Sequence, residues 1–390
     1  MPERFWPVAV MSVGALALAA CSPLVRDVEV LADDDLGGRD NGTEGSALAR
    51  DHIVDRLDDF AVGLGPAGTG PEAFMQPLPG GTNVVALIPG TVAPDEYVAI
   101  GAHYDHVGGA CRGTDEQDRI CNGATDNATG VAAVLAIGER LARQGGGPER
   151  SVVLALWDRE EDGLLGARHF LANPLVPVEQ TVAYLNFDIQ GSNLLPSLRS
   201  TTFAIGAETG GDALVAAVAE ATGPGPLDTR QLSWVFGEGR SDYFPFIQAG
   251  VPTVFFGDST GPCYHTAQDD IDVVDFVKLR HQIDDAYRLA RDLTSGDTTP
   301  TFTPGTPLAT YDDAVAMQAV STQARADLGR FTPGQQAQLL HVQATVDDIV
   351  AAGPDGFGPG DVSALLSGSA TAVGIFASGE CDGFLRQDGD

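Results

Sequence analysis

Two imidazoles and three carboxylates in this chain stand where an apolar run ends or a Gly-rich turn begins. They are His103 in VAIGAHYDHVG, Asp126 in NGATDNATG, Glu161 in LALWDREEDGLLG, Asp188 in AYLNFDIQGSN and His265 in CYHTAQDD. Histidine nitrogens and carboxylate oxygens are ligands of zinc. Such a set suits a pair of zinc ions if one carboxylate is shared, and Glu160, beside Glu161, is then free to act as a base toward water. Asp105 follows His103 by two residues and is placed to hold the imidazole N–H, which fixes a ring's tautomer and orientation. Each residue also has a plainer reading. Alone, Asp126 reads as a helix cap, Glu160-Glu161 as a solvated acidic loop, and His103 as a buried histidine beside a turn aspartate. Asp188 ends an apolar run, where burial without a partner costs on the order of several kcal/mol.

These groups need elements to hold them. Strand-like runs are expected at Asn83–Ile88, Tyr97–His103, Ser151–Trp157, Val182–Phe187, Thr201–Ile205 and Pro252–Phe256. The runs 152–156 and 253–256 are almost continuously apolar, as strands covered on both faces should be. Helical runs alternate with them, at about Ala128–Arg143, Leu164–Ala172, Asp212–Ala221, Ser241–Gln248 and Val274–Leu293. An earlier helix is marked by Ala49, Ile53, Leu57 and Phe60, with Gly63 as a stop. The alternation predicts an α/β fold: an open, mixed, mostly parallel sheet with helices on both faces. His103, Glu161 and Asp188 then follow strand bodies, and ligands of open sheets gather at the carboxyl ends of strands. Adjacent side chains on extended backbone point to opposite sides, which separates the roles of Glu160 and Glu161.

The chain has 390 residues and a formal net charge of -32. So acidic a surface repels nucleic acid and is read as a solubility device. Arg4 precedes an apolar stretch that ends in Leu18-Ala19-Ala20-Cys21. Small residues before a Cys resemble a bacterial lipoprotein cleavage site, which implies a signal at 1–20, a lipidated Cys21 as membrane anchor, and residence in the cell envelope. Export places the other cysteines in an oxidising compartment. Cys111 and Cys121 bracket a polar loop and are candidates for a local disulfide. Cys263 is a candidate metal ligand, a candidate partner of Cys381, or a free thiol, with ligation the least favoured at a site of nitrogen and oxygen ligands. The expected organisation is a spacer at 21–35, a catalytic domain at 36–295, a Pro/Thr/Gly-rich linker at 296–309 and an extension at 310–390. That extension carries helices at Tyr311–Leu328 and Pro333–Ala352 before a weakly patterned Gly- and Ser-rich end.

The joint pattern resembles the zinc peptidases of metallopeptidase family twenty-eight, which include bacterial leucyl-type aminopeptidases and glutamate carboxypeptidases. The resemblance runs from about Gly37 to Leu293 and covers GRDNGTEGS, GAHYDH, GATDNATGVA, EEDGLLGARHF, NFDIQG, SDYFPFIQAGVP and YHTAQDD. It implies a cocatalytic zinc pair, with His103, Asp126 and Asp188 on one ion, Asp126, Glu161 and His265 on the other, and Asp126 as the bridge. It implies Glu160 as general base and Tyr264 as a hydrogen-bond donor to the scissile carbonyl. Tyr243 stands where many members have His, and Asp158-Arg159 is atypical, with no catalytic role given to Arg159. The expected function is N-terminal exo-cleavage of peptides by a monomer. A carboxypeptidase or dipeptidase, a glutaminyl cyclase and a non-hydrolytic binding protein are the rivals. Against the cyclase, Tyr264 stands where cyclases carry Trp. Arg240 is the basic group to test for a C-terminal carboxylate. Trp234 and Phe236 are candidates for either pocket or core, and His106, His169, His281 and His341 read as surface or packing histidines.

Overall fold

The structure, a computed structural model, describes residues 22–113 and 118–381. The signal at 1–20 and the lipidation site Cys21 lie outside the described residues. Helices α1 (Pro23–Leu31) and α2 (Glu44–Asp58) lead into strands β1 (Val62–Gly63), β2 (Met75–Leu78), β3 (Gly81–Ile88) and β4 (Ala93–His103). Helix α3 (Thr129–Arg143), β5 (Arg150–Trp157), α4 (Leu165–Ala172), β6 (Thr181–Phe187) and β7 (Thr201–Ile205) follow. Then come α5 (Gly211–Thr222), β8 (Asp228–Leu232), α6 (Tyr243–Gln248), β9 (Thr253–Gly257) and α7 (Phe276–Ser295). The chain continues through α8 (Tyr311–Ala324), α9 (Pro333–Ala352) and α10 (Pro359–Ala377).

One sheet runs in the order β1-β3-β5-β4-β6-β9-β7-β8, with β2 also on β3. Its centre, β5-β4-β6-β9, is parallel, while β3, β1, β2 and the β7–β9 junction are antiparallel. The architecture is the expected one, and the reason is visible in β5: all eight of its residues are buried. Alternate side chains feed two cores. Val152, Leu154 and Leu156 face α1, α2, α3 and α7, whereas Val153, Ala155 and Trp157 face Phe170 of α4 and Phe246 of α6. Residues His103 and Trp157 pair across β4 and β5, so the loops after β4, β5 and β6 open at one edge of the sheet.

Three expectations need correction. The described part of the expected spacer, residues 22–35, is no polar linker: Leu24, Val28 and Leu31 on α1 enter the main core. The Gly- and Ser-rich end contains α10, whose Leu365, Ile375 and Phe376 are buried. Strands β1, β2 and β8 were not expected, because they are short or polar edge strands; every residue of β8 is partly exposed. The C-terminal helices also pack on the catalytic sheet. Phe376 clusters with Phe203 and Ile205 of β7 and Phe255 of β9, and Val320 of α8 and Leu339 of α9 pack against them.

Candidate metal centre and active site

Asp126 is the hub of the site. One of its carboxylate oxygens lies 3.2 Å from His103 Nε2 and the other 3.2 Å from His265 Nε2. Asp188 approaches the same His103 nitrogen at 3.4 Å, and Glu161 approaches the same His265 nitrogen at 3.2 Å. Two clusters therefore share Asp126, His103–Asp126–Asp188 and His106–Asp126–Glu161–His265, with ligand-type atoms in each within 4.8 Å of one another. Asp126 does not cap α3. Its neighbour Asn127 does that work, accepting from the Gly130 amide at 3.1 Å.

Such a donor set fits divalent zinc. Three carboxylates and two imidazole nitrogens converge, and Asp126 Oδ2 is buried without a hydrogen bond although His265 stands 3.2 Å away. An acceptor of this kind needs positive charge. Burial would lower the His103 pKa, yet the Asp188 and Glu160 carboxylates hold it well above its ordinary value. Burial would likewise lower that of His265, but the neighbouring Asp126 and Glu161 carboxylates raise it to about 10. Burial pushes Asp126 up, and the neighbouring imidazoles of His103, His265 and His106 more than reverse this, leaving it well below the carboxylate range.

Glu160 is 7% exposed and makes no ion pair in the cluster. Burial, then the charges of Asp242, Asp188 and Glu161, push its carboxyl well above the usual range, against the pull of His103. Asp105 holds this turn differently from expectation. Its carboxylate accepts from the amides of Glu160 (3.1 Å) and Glu161 (3.3 Å), and its backbone carbonyl faces His103 Nδ1 at 3.0 Å. The His103 ring stands farther from the Asp105 carboxylate, at 3.6 Å.

The family model described as Peptidase family M28 matches residues 83–289, a little over half of the chain. The chain belongs to peptidase family M28.

Among M28 relatives, a probable glutamate carboxypeptidase of Arabidopsis thaliana is 30% identical over 229 residues, covering 53% of this chain and 31% of that protein. Leupeptin-inactivating enzyme 1 of Streptomyces exfoliatus is 26% identical over 264 residues, covering 63% of this chain and 52% of that protein. The chain thus spans between about a third and about half of the length of these relatives. A leucine aminopeptidase precursor from Bacteroides thetaiotaomicron shares the fold at TM-score 0.54 and 19% identity, over 68% of this chain and 95% of that one.

His106 does not fit the packing role expected of it. It is fully buried, and its Nδ1 lies 2.9 Å from Glu161 Oε1 and 3.9 Å from Asp126 Oδ2. An ionised carboxylate only accepts, so His106 Nδ1 carries the proton in this contact. The available signal was its position, three residues after His103 on the same strand exit. Asp269 is a second residue the sequence reading passed over. Its carboxylate accepts from Thr125 N, Thr125 Oγ1 and Asp126 N at 2.9, 2.7 and 3.1 Å, bracing the Asp126 turn from the His265 loop. Arg39, in the GRDNGTEGS motif, is buried and donates to the carbonyls of Leu31, Tyr104, Asn122 and Gly123, tying the His103 and Asp126 loops together. Burial lowers its guanidinium pKa to about 10, opposed by Asp126 and Asp105.

Tyr264 stacks on His265 with ring centroids 4.0 Å apart, lines the cavity, and accepts from Arg240 at 3.2 Å. Burial and the Asp126 and Glu161 charges raise its pKa, so the hydroxyl keeps its proton. Arg240 lines the same cavity, 3.6 Å from Glu238. Phe236 is a cavity residue, whereas Trp234 stacks on Phe244. Tyr243 is buried and bonds the Gly239 amide and Trp234 carbonyl. Arg159 bonds Asp162 and the Pro79 carbonyl, away from any catalytic role. Both proposed cysteine pairs form, Cys111–Cys121 and Cys263–Cys381, which removes Cys263 as a ligand or free thiol.

Proposed function

We propose that this chain is a zinc-dependent exopeptidase that removes N-terminal residues from peptides at a site built for two ions. The observation that carries the reading is the shared Asp126 between two His–carboxylate clusters, with Glu160 buried beside them and uncommitted. His103, Asp126 and Asp188 would hold one ion, and Asp126, Glu161 and His265 the other. Bound zinc would supply Lewis acidity, polarising the scissile carbonyl and easing deprotonation of water. Glu160 takes the proton from the attacking water and returns it to the leaving amine. Tyr264 directs its hydroxyl toward the oxygen where negative charge develops. Asp105 positions both glutamates through their amides. Replacing Glu160 by Gln should leave zinc content unchanged and lower kcat by about 10²–10⁴-fold. Full turnover in a zinc-loaded Glu160→Gln protein would end this assignment.

The carboxylate-rich cavity attracts a substrate ammonium group. Arg240 supports a second reading, because a cation at the cavity wall suits a C-terminal carboxylate. Peptides blocked at one end or the other separate the two. Under the first reading Arg240→Gln still releases N-terminal residues from C-blocked peptides; under the second, wild-type protein cleaves only N-blocked ones. Export with anchoring through Cys21 belongs to the same proposal, and so does a monomeric state. Two disulfides and the Leu-Ala-Ala-Cys sequence support export. Cys21→Ser in a bacterial host should move the protein out of the membrane fraction.

A further inference from the structure

The polar site does not end at its carboxylates. Its cavity, of about 70 Å³, has Val373 of α10 in its wall, although α10 lies far outside the family-matched segment. A second cavity, of about 120 Å³, lies between the catalytic sheet and helices α8–α10. The two share Ile205, Phe236, Ser259 and Val373, so they are adjacent, with these side chains between them. The second is lined mainly by aliphatic and aromatic side chains, among them Val320, Leu339 and Ala372. Of its polar lining, Arg325 donates to the Gln343 side-chain oxygen at 3.3 Å. An apolar cavity of roughly this size, ~150 Å³, stays dry and takes a benzene-sized guest. Two tethers hold α10 against the site. The disulfide Cys263–Cys381 joins its far end to the segment before His265, and Arg112 donates to both the Tyr264 and Ala377 carbonyls.

We propose that helices α8–α10 form the far wall of the pocket for the substrate's terminal side chain, with Val373, Ala372, Val320 and Leu339 as specificity-determining residues. The ammonium group stays at the carboxylates, and an apolar side chain of about leucine to phenylalanine size passes Phe236 and Val373 into the cavity. This rests on the exopeptidase reading for which bond is cut; binding of the apolar group does not.

The test uses the full zinc-loaded chain and two readouts. The first is calorimetric binding of n-alkylamines from propyl to hexyl. Affinity should rise roughly fourfold per methylene and then level off. Ala372→Phe, which fills the cavity, should abolish the rise, and Leu339→Ala, which enlarges it, should extend the rise to longer chains. The second is the ratio of kcat/KM for Leu- and Ala-p-nitroanilide, which Ala372→Phe should lower at least tenfold. Thermal melts establish that each variant folds, and Leu339→Ala alone suffices if Ala372→Phe does not. Affinity independent of chain length in the wild-type protein, or a length dependence that the folded variants leave in place, overturns the proposal. If no terminal residue is released from any peptide, the exopeptidase reading fails while the alkylamine series still decides this one.

Discussion

The carboxylates of the site are positioned by backbone amides as much as by side chains. Asp105 grips the amides of Glu160 and Glu161, and Asp269 grips those of Thr125 and Asp126. His106 orients Glu161 from a second direction. Outer partners of this kind typically change metal affinity by about 10–100-fold. His106→Ala should therefore weaken zinc binding by that order, read by competition with a chromophoric chelator, while the fold persists. A separate residue, Glu208, reports on pH. Burial, opposed by a hydrogen bond from the Trp234 amide and helped by Asp313, lifts its carboxyl to about 7. Between about 4.5 and 7 the folded protein holds a proton that the unfolded chain has released. Glu208 thus makes stability fall as pH rises through that window and adds no slope above it. Glu208→Gln should flatten this part of the stability profile by about 1–3 kcal/mol, measured by urea titration at pH 5 and 7.5. The five candidate ligands were legible because each ends an apolar run or sits in a Gly-rich turn. His106 and Asp269 lack that signature: one looks like a core histidine, the other like part of an acidic run.

Strands with buried faces announce themselves. Arg150–Trp157 and Thr253–Gly257 are apolar throughout their buried bodies, and their existence follows from composition. Strand β8, DTRQL, has no such pattern, because it is an edge strand paired only to β7. Helix α10 hides for another reason. Its small residues, Gly, Ser, Ala and Thr, read as a weakly patterned end until Leu365 is seen to meet α9 and Phe376 the sheet. The helix is held at its far end by Cys381. Replacing Cys263 and Cys381 together by Ser should cost about 2–4 kcal/mol, seen as a lower urea midpoint. Hydrogen exchange should rise first along residues 359–377, since that element then depends on packing and the Arg112 hydrogen bond to Ala377.

Across the whole molecule the dominant fact is a net charge of -32. Like charges crowd both the surface and the metal centre, so a bound cation does more than chemistry. Removal of zinc with a chelator should lower the melting temperature, and added zinc should restore it in a concentration-dependent way. Raising ionic strength should narrow the gap by screening surface repulsion. The Cys263–Cys381 bond has one more consequence. It joins positions 118 residues apart, and the largely exposed segment 296–309 lies inside the ring it closes. A single proteolytic cut in that segment would turn the ring into an open string without shedding any part of it. Nicked protein would migrate as one band without a reductant and as two with one, and the wall of the apolar cavity would stay in place through the cut.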